Sequence, residues 1–192
     1  MTIRRAFATM LLLSAAGCSL FSRSKSEFYA LEQIAPAGPP AVVRGVPIAI
    51  DALELPPGFD RRELVVRLAD HKLDIRRSQQ WSASLEKMVL HTLAFNVARR
   101  LPAGMIVLPG QAQPTSPTRS IDVVVEEIAA GPERVAVLDA RWRMQQSGKE
   151  TISRHERITI ELSSLDSAQI ADGFSRALAE LADRMVAQLS AS

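Results

Sequence analysis

The stretch Arg134-Val135-Ala136-Val137-Leu138-Asp139-Ala140-Arg141-Trp142-Arg143-Met144 decides the fold of this chain. Its apolar residues alternate with mostly polar ones, so one side of an extended strand carries Ala136, Leu138, Ala140, Trp142 and Met144. The opposite side, with Asp139, Arg141 and Arg143, is mostly polar. Alternation of this kind predicts a β-strand with one face in the core and one face toward water.

The flanking stretches predict that this strand is the middle of an antiparallel meander. Before it, Ile121, Val123 and Val125 alternate along a second strand, and Gly131-Pro132 turns the chain. After it, Ser147-Gly148 predicts a hairpin turn, and residues Thr151–Leu162 return with one apolar side. Because tight turns join antiparallel neighbours, we expect three consecutive strands with one buried face.

Two amphipathic helices are predicted outside the meander. The first opens at Trp81-Ser82, where Ser82 or Ser84 can cap it, and it carries an apolar stripe at Leu85, Val89, Leu93 and Val97. The second begins near Asp166, and its stripe consists of Ile170, Phe174, Leu178, Leu181, Met185 and Leu189. We therefore predict an α+β fold, in which a mainly antiparallel sheet carries both long helices on one face as a two-layer sandwich.

Shorter apolar runs predict the remaining strands, at Phe28–Leu31, Val46–Leu55, the second half of Phe59–Leu68, Leu73–Arg76 and Met105–Leu108. A turn is expected between the third and fourth of these, at Asp70-His71-Lys72. Since Pro47 has no amide donor, the strand that contains it is expected to begin at a sheet edge or to be unpaired in its N-terminal half.

The N-terminus predicts export and a lipid anchor. Arg4 and Arg5 precede an uncharged, mostly apolar run that ends at Ala16, which is the layout of a signal peptide. The run continues into Ala15-Ala16-Gly17-Cys18, which resembles the lipobox of bacterial lipoproteins, where the cysteine is lipidated and the signal is cut just before it. We expect residues 1–17 to be a signal peptide, 18–27 a lipidated tether and 28–192 a single domain.

Composition excludes some classes of function. Removing residues 1–17 takes away Arg4 and Arg5 but no acid, so the formal net charge falls from +2 to near 0. Nucleic-acid binding would need a basic stripe with interleaved aromatics, and aromatics are only 5% of the chain. The one cysteine, Cys18, also excludes an internal disulfide. No nucleic-acid partner is therefore expected.

The candidate catalytic and metal-binding residues do not form a recognisable motif for either kind of site. The three histidines, His71, His91 and His155, lack a second ligand at metal-binding spacing. Glu126 and Glu127 are adjacent on a strand and are expected to face opposite ways. Neither a nucleophile elbow nor a glycine-rich phosphate loop occurs. We predict a non-enzyme with no metal site and no cofactor, apart from a covalent lipid on Cys18.

Four residues are candidates for contact with a partner or a lipid. Trp81 and Trp142 fit core packing between helix and sheet, and the alternative is that they line a lipid or partner groove. Arg61 and Arg67 belong to a basic run, which either faces solvent or meets an acidic partner surface. Six residues apart, these two arginines would share a face of a straight strand.

Several short motifs together resemble the ABC-type transport auxiliary lipoprotein family, which includes the PqiC-like lipoproteins of MCE (mammalian cell entry) lipid-transport systems. The motifs are the lipobox Cys18, then Phe28-Tyr29-Ala30-Leu31, then the run Phe59–Arg67, and then Trp81 followed by Leu85. The family often has Tyr at the position of Phe59 and Glu-Pro at the positions of Ala83-Ser84. We interpret these departures as divergence within the family.

The resemblance implies a transport role without catalysis. It implies a periplasm-facing auxiliary lipoprotein of an ABC permease, an ATPase and an MCE-domain protein, which move phospholipids or hydrophobic solutes between the inner and outer membranes. Ser19, which follows the lipidated cysteine, implies outer-membrane sorting, since Asp at that position retains a lipoprotein in the inner membrane. The alternatives are a lipid-binding carrier and an assembly lipoprotein of another envelope machine. Ring-shaped MCE partners suggest a homo-oligomer by analogy.

Overall fold

The computed structural model describes residues 25–112, 118–147 and 149–191, and within these ranges the chain forms eight strands and two helices. In chain order they are β1 (Glu27–Tyr29), β2 (Ile48–Glu54), β3 (Glu63–Arg67), β4 (Leu73–Trp81), α1 (Leu85–Arg100), β5 (Ile106–Val107), β6 (Arg119–Ala130), β7 (Val135–Gln146), β8 (Lys149–Glu161) and α2 (Ser167–Ala191). The predicted signal peptide, Cys18 and Gly148 lie outside the described residues. Neither helix of the described ranges has the length and apolar character needed to cross a membrane.

The strands form two sheets of mixed direction, whereas the prediction was a single, mainly antiparallel sheet. The larger sheet has the order β5-β2-β6-β7-β8, and the smaller one has the order β1-β4-β3. The meander β6-β7-β8 is antiparallel as predicted. However, β2 runs parallel to both β5 and β6, and β1 runs parallel to β4. Parallel neighbours need long crossover connections, and the chain from β2 to β5 and β6 passes through the small sheet and α1.

The two helices lie on the same side of the larger sheet, as predicted. Helix α1 packs against β2 and β5, α2 packs against β7 and β8, and the helices pack against each other. All of the apolar residues predicted for the α2 stripe are buried, and so are the four stripe residues named for α1. They meet the buried faces of β6 and β7 in one continuous core.

The start of α1 differs from the prediction. Trp81 is the last residue of β4, which continues five residues beyond the predicted end at Arg76, and the helix begins at Leu85. Ser84 occupies the N-cap position, but its side chain does not cap the helix. Instead, the carboxylate of Asp60 accepts hydrogen bonds from the Glu86 amide and the Ser84 hydroxyl, both at 3.3 Å. A residue from a preceding loop therefore satisfies a free amide of the first turn.

The expectation for the strand that follows Pro47 was wrong. Strand β2 is internal, and its first residue, Ile48, is paired with Ile106 on one side and Arg119 on the other. Pro47 is tolerated because it immediately precedes the strand, where its carbonyl still accepts the Arg119 amide at 2.9 Å. The missing donor therefore falls just outside the ladder.

The hairpin from β3 to β4 turns at the predicted position. Asp70 and His71 have φ angles of 59° and 60°, and the Lys72 amide donates to the Ala69 carbonyl at 3.4 Å. Two consecutive left-handed residues are the mark of a type I′ turn, whose twist matches that of the strands it joins. The turn places His71 at the end of the β3–β4 hairpin.

Candidate functional site

The segment that leads from the predicted anchor into the domain is bound to both helices. We call residues 30–43, which follow β1, the strap. The Glu32 amide donates to Ser175 Oγ on α2, and the Ile34 amide donates to Asn96 Oδ1 on α1, both at 2.9 Å. Further along, the Ala41 amide donates to the carbonyl of Arg100 at 2.8 Å. The strap therefore holds the anchor-proximal chain firmly to the helical layer.

The two tryptophans are in the core. Trp81 is 2% exposed, and its ring lies 6.2 Å from that of Phe174 on α2. Trp142 is 1% exposed, and its indole Nε1 is one of the buried polar atoms of the described residues that lack a hydrogen-bond partner. A lipid or a partner could reach either indole only if the core opened. In this structure both tryptophans therefore act as core-packing residues.

The two candidate arginines pair with acids of their own chain and do not share a strand face. Arg61 precedes β3, and its Nε donates to Glu63 at 3.1 Å. Arg67 ends β3, and its Nη1 lies 2.5 Å from Glu127 of β6. The guanidinium groups remain 36% and 45% exposed respectively, so each is accessible to a partner.

The side of the larger sheet away from the helices carries a network of ionic side chains, which we call the open face. Its charged residues on β6, β7 and β8 are Asp122, Glu126, Glu127, Asp139, Arg141, Arg143, His155 and Arg157. A register shift between Val125 and Glu127 of β6 places Glu126 in a β-bulge. As a result, Glu126 and Glu127 both reach this network, which corrects the expectation that they would face opposite ways.

The network is continuous from strand to strand. Arg141 Nε lies 2.7 Å from Glu126, and the other oxygen of Glu126 lies 3.6 Å from His155 Nε2. His155 Nε2 is 2.5 Å from Asp139 Oδ1, and Arg157 donates to Asp139 Oδ2 at 2.6 Å. Burial of Asp139 favours its neutral form, but the hydrogen bonds from Arg157 and His155 outweigh that effect and lower the pKa of this carboxyl.

Sequence reasoning missed one set of potential metal ligands in this network. Glu126, Asp139 and His155 each offer an atom, and these atoms all lie within 4.8 Å of one another. Each carboxylate already has one oxygen on an arginine, so the cluster is charge-balanced by the protein itself. The three residues stand on three strands, and no spacing rule within one helix or strand could have found them.

The other two histidines stand apart from this cluster. His91 lies on the exposed side of α1, and its ring stacks on that of Phe95 at 6.5 Å. His71 lies in the β3–β4 turn and lines a surface cleft of about 400 Å³. The same cleft is lined by Arg67, Glu127 and Arg157, so it opens beside one end of the ionic network.

Known proteins resemble this chain in sequence pattern and in fold. A family model described as "ABC-type transport auxiliary lipoprotein component" matches residues 29–186. The solved structure of an uncharacterized protein is 15% identical and has a TM-score of 0.71. The match covers 86% of this chain and 99% of the other. The structure of protein XCC0632 from Xanthomonas campestris is 14% identical and has a TM-score of 0.65. The match covers 84% of this chain and 93% of the other. These two likenesses show the fold alone, and a search of curated proteins finds no match.

Proposed function

Because the chain belongs to the family of ABC-type transport auxiliary lipoprotein components, we propose that it is the lipid-anchored subunit of an MCE-type ABC transport system. In this proposal it stands on the periplasmic side of the outer membrane and helps to move phospholipids or hydrophobic solutes between the two membranes. The observation that carries the proposal is the family match over residues 29–186, which starts at the second residue of the predicted domain.

The lipid anchor on Cys18 is the second part of the proposal. Cys18 is the only cysteine of the chain, and it stands where a small-residue signal ends. Residues 1–17 are then removed, residues 18–27 form the tether, and residues 28–192 form the periplasmic domain. Two or more acyl chains anchor a protein stably, whereas one chain binds reversibly. Ser19 supports sorting to the outer membrane.

A non-catalytic role agrees with the chemistry of the described residues. The family description of an auxiliary transport component supports this role, and the carboxylates of the open face are each paired with an arginine. The core is packed with both tryptophans inside, so a binding function would use the surface. Arg61, Arg67 and the open face are the surfaces we propose for an MCE-domain protein or for a second copy of the chain.

The decisive experiment removes the anchor in the full chain. Cys18→Ala should abolish incorporation of labelled palmitate and should fail to restore detergent resistance to a strain that lacks the gene. Ser22→Ala, a substitution in the same tether, is the matched control and should behave like the wild type. Full complementation by the unlipidated variant would contradict the anchored role.

The membrane and the partner need separate measurements. Ser19→Asp should move the lipidated protein from the outer-membrane to the inner-membrane fraction of a sucrose gradient. The wild type should copurify with an MCE-domain protein from detergent-solubilised envelopes. Copurification with an outer-membrane β-barrel and no MCE-domain protein would favour the assembly lipoprotein instead.

A further inference from the structure

One large apolar side chain is exposed close to the predicted anchor. Phe28 is the middle residue of β1, and 60% of its surface is accessible to solvent. It lines a surface groove of about 290 Å³, together with Ala168 and Ala171 of the first turns of α2. More than half of the Phe28 surface is left uncovered by the domain, so this side chain is free to contact another apolar surface.

The length of the tether limits how far Phe28 can lie from the membrane. Cys18 stands nine residues before Glu27, the first residue of β1. Nine residues span at most about 30 Å when fully extended, and a flexible chain of that length has a mean reach of roughly 17 Å. Given the lipid anchor proposed above, the N-terminal end of β1 is held near the bilayer surface.

The position of Phe28 is fixed relative to the rest of the domain. Strand β1 pairs with β4, and Phe28 stands beside Gln80 in that ladder. The strap that follows is bound to both helices through Ser175 and Asn96. A membrane contact at Phe28 would therefore orient the whole domain and not only its tether.

The other end of α2 provides a natural comparison. Val42, at the far end of the strap, is 73% exposed and lies beside Leu189, Ser190 and Ala191. About 20 residues of α2 separate this place from Ala171, which corresponds to roughly 30 Å of helix at 1.5 Å per residue. Phe28 and Val42 thus lie at opposite ends of the helical layer.

We infer that Phe28 inserts into the lipid–water interface of the anchoring membrane, so that the N-terminal end of α2 faces the bilayer and its C-terminal end faces the periplasm. Glu32 and Asp172 line the groove, and Glu27 precedes Phe28 on β1. These groups are acidic, and Asp172 is already paired with Arg176 at 2.9 Å. Since acidic groups do not attract an anionic bilayer, the contact depends on the aromatic ring and should not weaken as the salt concentration rises.

The test uses the full-length lipidated protein in vesicles of phosphatidylethanolamine and phosphatidylglycerol, with and without brominated acyl chains that quench tryptophan. Trp81 and Trp142 are buried, so the wild type gives a low, constant baseline. Phe28→Trp should show quenching at least twofold above this baseline at both low and high salt. Val42→Trp, at the opposite end, should remain at the baseline.

The outcomes separate this inference from the proposed function. A wild-type protein that fails to float with the vesicles overturns the lipid anchor and the inference together. If the protein floats with the vesicles but Phe28→Trp stays at the baseline, the inference alone is overturned. Phe28 would then be available to contact a protein partner instead of lipid. Equal quenching of both variants also overturns it, since the domain would then have no preferred orientation. Near-ultraviolet circular dichroism checks the fold of each variant, and both replaced side chains are exposed.

Discussion

Arg100 of α1 and Asp183 of α2 join the two helices through a two-pronged ion pair. Arg100 donates from Nε at 2.5 Å and from Nη2 at 3.0 Å to the two carboxylate oxygens of Asp183. Its remaining Nη1 donates to the carbonyls of Ile34 in the strap and Asn96 in α1, at 3.1 and 3.0 Å. The guanidinium is only 4% exposed, so one buried cation connects both helices with the chain that comes from the anchor.

Asp183→Ala should destabilise the domain more than the loss of an ordinary surface ion pair would. Removing the carboxylate leaves a buried guanidinium without its counter-charge, and we expect a loss of about 2 kcal/mol, because charged hydrogen bonds contribute more than neutral ones. Asp172→Ala is the matched control on the same helix, since its pair with Arg176 is exposed on both sides. The control should cost under about 1 kcal/mol. Urea unfolding measures both variants, and equal losses would show that burial of Arg100 does not matter.

Trp142→Phe should leave stability almost unchanged, although the residue is fully buried. The replacement loses part of the ring, but it also removes a buried indole N–H that has no hydrogen-bond partner, a defect that costs about 1–3 kcal/mol. The two effects offset each other, so the net change should stay within about 1 kcal/mol, whereas Trp142→Ala should cost about 3–5 kcal/mol. If Trp142→Phe proves as damaging as Trp142→Ala in urea unfolding, the indole N–H must have a partner in solution.

Asp139→Asn should change how stability depends on pH. The lowered pKa of Asp139 means that its ionised form is stabilised in the folded protein, and this contribution is present above the unfolded pKa of about 3.9. It is lost as the pH falls through the folded pKa. The variant should therefore be less stable by about 2 kcal/mol at neutral pH, and the gap should close as the pH falls below about 4. Urea unfolding from pH 7 to pH 3 measures the gap, and a constant gap would contradict the assignment.

The elements that the sequence predicted well are those whose burial follows a local period. In β7 the side chains predicted for the core are buried from Ala136 to Met144, and in α2 the stripe is buried from Ile170 to Leu189. Each of these elements has one buried face and one face toward solvent. The spacing of its own apolar residues is therefore sufficient to predict which side chains are buried. This is also why the antiparallel meander and the packing of both helices on the larger sheet could be predicted.

The parts that the sequence did not predict depend on pairing between distant strands. The last residues of β4 form a polar run, Arg77–Gln80, that looks like a loop but becomes a strand because β1 pairs beside it. Likewise, β2 gains a parallel neighbour on each side from chain that follows α1. Nothing within either segment specifies its partner, so neither the mixed direction of the sheets nor the internal place of β2 could be predicted locally.

The ionic network of the open face was missed for a related reason. Asp139 and His155 are on adjacent strands, and their proximity follows only from the register of β7 against β8. Glu126 joins them because of a β-bulge, which no pattern of alternating residues predicts. The only signal in the sequence was the run of charged residues at outward positions of β7. It indicated a solvent-facing side of the strand but did not show which residues of other strands these charges would pair with.

Gly173→Ala tests how closely α2 approaches the sheet. In an exposed helix this change would stabilise by about 1 kcal/mol, because glycine is a poor helix former. Here an added Cβ would lie 2.5 Å from Leu162 Cδ2 and 3.0 Å from the Cβ of Ala136. The leucine tip can move but the Ala136 contact is against a strand, so we expect a net destabilisation of about 1–2 kcal/mol in urea unfolding.

A double-mutant cycle with Leu162→Ala isolates the cause of that loss. In the wild type, Leu162→Ala removes a buried side chain and should cost about 2–3 kcal/mol. In the Gly173→Ala background it also relieves the contact with the new Cβ, so it should cost at least about 1 kcal/mol less. Additive effects would show that the helix shifts away from the sheet as a rigid body. A stabilising Gly173→Ala would mean that α2 lies farther from β7 than the structure places it.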